Sequence, residues 1–293
     1  MEHAVRGRRW VSIAWLPLIL AVGCSGLQRS PELPIRHAVE RGQLVFYSDF
    51  HLDSNNRLLA ELDGLREELS ARLALPMTDE SIFLYLFDGE PRYREFMRLH
   101  YPELPPRRAY FVQTETRLVV YAQWGDQAAE DLRHETTHGY LHAVSPDIPV
   151  WIDEGLAEYF EVPRNLNGFH EAHLRLLLTE WNAGRWRPDL ADLEQKQTLH
   201  QMSQVDYAQS WAWTHLLLHS QNGGREVLIA YLESLRREGA VRPLSSRIAE
   251  WDPQSQERLM RHLHRLAAPR SLTPVHPPAP ASAATGRFVP RPR

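Results

Sequence analysis

The stretch His134-Glu135-Thr136-Thr137-His138 determines how this chain is interpreted. His134 and His138 are four residues apart on a predicted helix, so both imidazoles leave one face and can hold one Zn²⁺ at about 2.0–2.1 Å. Glu135 points about 100° around the helix, beside the metal, where it can accept a proton from water as a general base. The pattern predicts a catalytic zinc site; the alternative is an exposed helix face of charged and polar residues.

A second acidic segment, Trp151 to Phe160, follows this helix. A catalytic zinc needs three protein ligands and one open position. Glu154 can supply the third ligand from a second helix. Glu158 lies four residues later on the same face, where it can accept the N–H of a ligating histidine. Asp153 and Glu158 are rival ligands, and an ordinary acidic helix face is the alternative for the whole segment.

Together the two segments resemble those of the gluzincin metallopeptidases. Thermolysin-type members place a ligand Glu after HExxH and an Asp four residues later, and Glu154 and Glu158 match this pair with Glu in place of Asp. Trp151-Ile152-Asp153-Glu154-Gly155 is similar to the Trp-Leu-Asn-Glu-Gly segment of alanyl-aminopeptidase-type members, with Asp153 in place of Asn. The resemblance implies one zinc per chain, held by His134, His138 and Glu154.

The resemblance extends over residues 130 to 220, where the pattern is similar to a bacterial family of peptidase-MA-like proteins. The metzincin class is excluded, because Leu141 and Val144 stand where that class needs Gly and His. The Gly-x-Met-Glu-Asn motif of aminopeptidases is absent from the sequence, which favours an endopeptidase over an exopeptidase.

Tyr207 is the candidate for stabilising the reaction's negative charge. In aminopeptidase-type gluzincins a Tyr that opens a comparable helix hydrogen-bonds the oxyanion, and a phenol is a suitable donor. A buried Tyr with a structural hydrogen bond is the alternative. His200 and His215 are weaker candidates for the same role.

The implied activity is hydrolysis of a peptide or protein substrate by Glu135-assisted attack of zinc-bound water. Two other classes remain open: an exported lipoprotein that binds zinc or peptide without turnover, and a structural lipoprotein without metal. Glu135 argues against the first, because a binding module needs no general base.

The order of predicted elements indicates an α+β fold: a small mixed or antiparallel sheet packed on the HExxH helix, followed by a mainly helical half. The resemblance implies a thermolysin-like catalytic domain. The last strand before the HExxH helix, at 117–121, could offer a free edge to a peptide. The predicted strands are 44–48, 82–87, 110–112 and 117–121, and the predicted helices are 54–73, 91–100, 127–142, 152–161, 169–181, 207–220, 225–236 and 244–266.

The N-terminus has the pattern of an export signal over residues 1–23: three arginines precede the apolar stretch Trp10 to Val22. That stretch is shorter than the roughly 20 residues of a membrane span. Gly23-Cys24 resembles the cleavage site of bacterial lipoproteins, in which the cysteine is lipidated; with Ser25 next, the resemblance implies an outer-membrane anchor facing the periplasm. An ordinary cleaved signal, giving a periplasmic or secreted protein, and an uncleaved anchor are the alternatives.

The remaining boundaries follow from composition. Residues 24–40 are interpreted as a linker, 41–267 as the peptidase domain and 268–293 as a disordered Pro-rich tail. Cys24 is the only cysteine, so no disulfide can form within the chain. The net charge of -4 gives no reason to expect a nucleic-acid partner, although composition leaves a local basic patch open.

Overall fold

The computed structural model describes residues 32–145, 147–239 and 241–268. The predicted signal 1–23, the proposed lipidation site Cys24, and all of the predicted tail except its first residue lie outside the described residues. Within the described chain, no helix is both long and apolar enough to cross a bilayer.

A mixed sheet forms one part of the fold and confirms the predicted α+β class. Its strands are β1 (His37–Arg41), β2 (Leu44–Ser48), β3 (Ile82–Phe87), β4 (Ala109–Gln113) and β5 (Leu118–Gln123), in the order β1-β2-β3-β5-β4. The central strands β2, β3 and β5 run parallel, and the outer strands β1 and β4 pair antiparallel to their neighbours.

Helices make up the rest of the described chain. The first three are α1 (Arg57–Leu73), α2 (Glu90–His100) and the HExxH helix α3 (Ala128–His142). The helical half consists of α4 (Val150–Phe160), α5 (Glu171–Asn182), α6 (Leu190–Leu193), α7 (Gln204–Leu218), α8 (Gly224–Glu238), α9 (Leu244–Trp251) and α10 (Ser255–Ala267).

Alternation along the strands divides the sheet into two apolar faces. Leu84 and Val120 belong to the main core with α1 and α3, whereas Tyr85 and Tyr121 belong to a second core with Phe96 of α2. The helix α3 lies against β3, β4 and β5. The sheet thus holds one side of α3, and α4 packs on it from the helical half.

Most predicted elements are present with ends shifted by a few residues, and three predictions need a larger correction. The linker 24–40 is too long at its C-terminal end, because residues 37–40 belong to β1, which pairs with β2. The free edge next to α3 is β4 and not the predicted 117–121 strand, since β5 lies between β3 and β4; the opposite edge of the sheet is β1. The predicted helix 244–266 is two helices, because Pro253 lacks an N–H and disfavours a helical conformation at Asp252, whose φ is -147°.

Candidate metal centre

The HExxH helix carries its polar residues in buried surroundings. Glu135 and His138 are buried, and His134 is nearly so. A glycine brings the neighbouring helix α4 close to α7: a Cβ on Gly155 would lie 2.6 Å from the carbonyl oxygen of Ser210. This close approach sets α4 so that Glu154, the residue before Gly155, faces the two histidines of α3.

His134, His138 and Glu154 form the ligand cluster. The Nε2 atoms of the two histidines are 3.2 Å apart, and the Glu154 carboxylate oxygens lie 3.6 Å from Nε2 of His134 and 3.8 Å from Nε2 of His138. Ligand atoms around a tetrahedral zinc with bonds of about 2.1 Å are roughly 3.4 Å apart. The three residues are therefore within metal-binding distance of one another.

The surroundings of the Glu154 carboxylate indicate whether these three residues are compatible with a bound cation. It is 2% exposed, and its Oε2 has no hydrogen-bond partner among the described residues. At 3.6 Å, the nearest imidazole nitrogen is too far for a hydrogen bond. A buried carboxylate oxygen without a partner is costly, and a divalent cation between the three ligand atoms would remove that cost. The residues fit a metal.

Two carboxylates orient the imidazoles from behind. Oε2 of Glu161 lies 2.8 Å from Nδ1 of His134, and Oδ1 of Asp153 lies 2.9 Å from Nδ1 of His138. The Glu161 contact is a hydrogen bond, and a proton on Nδ1 of His134 leaves the Nε2 lone pair for a metal, as in sites with carboxylate–histidine pairs. The Asp153 contact is a short ion-pair contact without hydrogen-bond geometry. The structure thus places Asp153, a rival ligand in the sequence, behind the cluster.

The carboxylate on His134 is Glu161 rather than the predicted Glu158. Oε2 of Glu158 instead lies 2.6 Å from Nε2 of His173 on α5. Helix α5 packs on α7, and from there its His173 reaches Glu158 and is the nearer partner. Glu161, the C-cap residue of α4, is close enough to bond His134.

Glu161 also bonds a second histidine, which sequence reasoning missed. Its Oε1 lies 2.8 Å from Nε2 of His170, the N-cap residue of α5. Although burial opposes the shift, the hydrogen bonds with His134 and His170 hold the pKa of Glu161 well below its usual range. Helical spacing did not reveal the bridge from His134 through Glu161 to His170. Glu161 follows the last turn of α4 and His170 precedes α5, so both lie outside the helical patterns.

Glu135 lies beside the ligand cluster and contacts the free edge of the sheet. Its Oε2 accepts the backbone N–H of Phe111 in β4 at 2.6 Å. Burial raises the pKa of Glu135 above its usual value, while His134 and His138 oppose the rise. The predicted general base is thus anchored by one oxygen next to the predicted ligands.

Tyr207 is buried in the first turn of α7. Ser203 and Asp206 form a capping box that fixes this turn. Burial raises the pKa of Tyr207, and the nearby Glu154 carboxylate adds to the rise. The phenol thus senses the charge of Glu154, and its role in catalysis stays a prediction.

Arg107 is a site residue that the sequence did not indicate. Its Nη2 donates to Oη of Tyr207 at 2.9 Å, and although burial opposes it, this bond and the charge of Glu154 raise the pKa of Arg107. It lies in the loop before β4, where no periodic pattern distinguishes it from other arginines. The weaker candidates are elsewhere: Nδ1 of His215 is 2.8 Å from Nε2 of His262, and His200 is exposed in a short 3₁₀ turn.

A cleft of about 610 Å³ opens beside the ligand cluster. Its walls include His134, Glu135 and Glu161, together with Arg107 and the start of β4 at Ala109. The cleft thus connects the ligand cluster with the free strand edge. A scan against protein-family models and a search of curated proteins found no match to this chain.

Proposed function

We propose that this chain is a zinc-dependent metallopeptidase with a gluzincin-type ligand set and a thermolysin-like catalytic domain. The observation that carries the proposal is the ligand cluster itself: three converging ligand atoms, one of them a buried carboxylate oxygen without a hydrogen-bond partner. Glu135 beside the cluster and Tyr207 next to it supply the groups that peptide hydrolysis needs.

His134, His138 and Glu154 would hold the metal. A bound Zn²⁺ supplies Lewis acidity and lowers the pKa of water toward about 7. Glu135 then accepts the proton of the attacking water and delivers it to the leaving amine. The Phe111 N–H on one oxygen fixes the Glu135 carboxylate, so its other oxygen is available for proton transfer.

Tyr207 donates its phenolic hydrogen to the oxygen of the scissile carbonyl as negative charge develops there. Arg107 donates to the phenol oxygen, which leaves the phenolic hydrogen free for the substrate. The positive charge of Arg107 also makes the phenol a better donor, because it opposes the rise in the Tyr207 pKa. Arg107 is a positioning residue for Tyr207.

The substrate would bind as an extended peptide along β4. Backbone bonds join Arg108 to Gln123 and Thr114 to Arg117, so alternation directs the groups of Ala109, Phe111 and Gln113 away from β5. The Phe111 N–H is taken by Glu135, and the remaining outward groups can pair with a peptide strand.

The decisive experiment measures metal content and peptide cleavage on the same purified full-length chain. We expect one zinc per chain, and cleavage of a peptide library by the wild type. Glu135→Gln should retain the zinc and lose about 10³-fold or more of the activity, because general-base catalysis is removed.

The exposed Glu95→Gln on α2 is the matched control and should behave as the wild type. A chain without zinc would refute the ligand assignment. An active Glu135→Gln variant would refute the general base. A zinc-loaded wild type that cleaves nothing would favour the alternative of a zinc- or peptide-binding lipoprotein.

We further propose that lipid on Cys24 tethers the enzyme to the outer membrane, facing the periplasm. The support is the sequence pattern of residues 1–25. Labelled palmitate should be incorporated by the wild type and not by Cys24→Ser. Equal labelling of the two would exclude lipidation at this residue.

A further inference from the structure

A second cavity, of about 580 Å³, lies away from the ligand cluster between α10 and the turn that joins α7 to α8. We call it the α10 cavity. Its wall includes polar and charged side chains, among them His219, Asn222, Arg258, Arg261, His262 and Arg265.

Three arginines give the α10 cavity a positive wall. Arg258, Arg261 and Arg265 follow one another at spacings of three and four residues, which places them on one face of α10. Among the described residues that line the cavity, none carries a carboxylate. The positive charge is therefore local, in a chain whose net charge is -4.

The three guanidinium groups differ in how far they are neutralised. Arg258 pairs with Asp252, and Arg261 lies 3.6 Å from Glu257; both acids are outside the cavity wall. Within the described chain Arg265 contacts no carboxylate, and its polar contact is Nδ1 of His262 at 3.5 Å. At least one positive charge in the cavity is thus uncompensated.

Neutral hydrogen-bonding groups complete the wall. Burial lowers the pKa of His262 to about 4, and the charge of Arg265 adds to the effect. The hydroxyl of Ser220 donates to Oδ1 of Asn222 at 2.7 Å, so the amide N–H₂ of Asn222 remains available as a donor. The cavity thus offers guanidinium and amide donors to an anion.

We propose that the α10 cavity binds a phosphate group. Guanidinium groups form planar forks that match phosphate oxygens in bidentate geometry, which is why arginine clusters are typical of phosphate recognition. The cavity is larger than a single phosphate ion, so the group would be carried on a larger molecule. That molecule is either a soluble phosphate ester or a phospholipid headgroup. The proposal involves none of the residues of the ligand cluster.

The first test is calorimetric titration of the full-length chain with inorganic phosphate at constant ionic strength. Arg261→Gln/Arg265→Gln should bind phosphate at least about ten-fold more weakly, because two charge-assisted contacts are lost. The matched control is Arg236→Gln/Arg237→Gln, which removes the same charge from exposed positions on α8 and should bind as the wild type. Thermal unfolding of both variants verifies that they fold.

The second test is co-sedimentation with vesicles of phosphatidylglycerol and phosphatidylcholine, compared with phosphatidylcholine alone. The apolar stretch Trp10 to Val22 is common to all variants, so only differences between variants count. Selective loss of binding to the anionic vesicles in the Arg261/Arg265 variant identifies a lipid headgroup. Phosphate binding without this difference identifies a soluble ester. If the wild type binds neither probe, or if the two variants bind both probes equally, the proposal is wrong.

Discussion

Three groups of histidine and glutamate side chains in the described chain could hold a metal, and two of them share no residue with each other. The third, His134, Glu158 and Glu161, shares residues with both of these. The ligand cluster is His134, His138 and Glu154; the α5 cluster is Glu158, His170 and His173. In both, the ligand-type atoms lie within 4.8 Å of one another. Residue type and proximity therefore do not distinguish them.

Hydrogen bonding does distinguish them. In the α5 cluster, Glu158 bonds His173 directly at 2.6 Å, and Nδ1 of His170 accepts the backbone N–H of His173. The two rings stack with centroids 3.8 Å apart, so their nitrogen lone pairs lie in nearly parallel planes, which is unfavourable for binding one ion between them. The ligand cluster instead keeps a carboxylate oxygen without a hydrogen-bond partner. The ligand cluster is therefore the better candidate for a metal site, since its buried carboxylate oxygen still lacks a partner.

Replacing one histidine in each cluster should give the largest difference in zinc content between the two clusters. His138→Ala should abolish zinc binding and with it all hydrolysis, because two remaining ligands do not hold a catalytic zinc. His173→Ala removes a histidine of similar burial from the α5 cluster and should retain one zinc per chain. Metal analysis of both variants checks the prediction. If His173→Ala loses the zinc and His138→Ala retains it, the α5 cluster and not the ligand cluster binds the metal.

The phenol next to the ligand cluster should affect turnover and not metal content. Tyr207→Phe should lower kcat by about 10²–10³-fold with KM and zinc content unchanged, because it removes the oxyanion donor. Arg107→Gln should lower kcat by a smaller factor, since the phenol stays in place. Steady-state kinetics check both, with the remote Tyr231→Phe on α8 as the control. Unchanged kcat in Tyr207→Phe would leave Tyr207 a structural role only.

Glu158 of α4 and the C-cap residue Glu161 should differ in their effect on the metal. Glu161→Gln should weaken zinc binding by about 10–100-fold, because the amide cannot accept N–H groups at both ends. Glu158→Gln should leave the zinc Kd unchanged, since its partner is His173. Competition with a chromophoric chelator gives both constants. Equal losses in the two variants would mean that the clusters act as one unit.

The smallest effect concerns pH. Although burial opposes it, the hydrogen bond with Glu161 raises the pKa of His170. The folded chain then keeps a proton that the unfolded chain releases above about pH 6.5, so this stability is present at lower pH and is lost as pH rises through the raised pKa.

In metal-free wild type, this proton makes the free energy of unfolding fall by up to about 1.4 kcal/mol for each pH unit above 6.5. His170→Asn should remove this contribution to the slope. Urea unfolding across this range measures the slope. The exposed His200→Asn should keep the wild-type slope. An unchanged slope in His170→Asn would show that His170 binds no extra proton in the folded state.

The parts of the site that could be predicted from sequence are those fixed within one helix. Helical spacing directs His134 and His138 to one face of α3, and the strand patterns at 44–48 and 82–87 coincide with β2 and β3. Predicting the position of Glu154 required one further inference, the packing of α4. Gly155, which allows the close approach of α4 to α7, belongs to the motif on which the family resemblance rests.

The rest depends on contacts between distant segments. Glu158 and Glu161 are three residues apart, and only the position of α5 decides which of them bonds His134. Arg107 reaches Tyr207 across 100 residues of sequence. β4 lies at the edge because β5, and not β4, pairs with β3. The local sequence of the β4–β5 hairpin is compatible with either strand at the edge.

The double hydrogen bond of Glu161 has a thermodynamic consequence for α5, a helix that supplies no ligand in the proposed site. One carboxylate holds both His134 and His170, the N-cap residue of α5. Anything that stabilises the docked α5 therefore also favours the imidazole orientation that a metal requires. By reciprocity, a bound metal strengthens the docking of α5 by the same free energy.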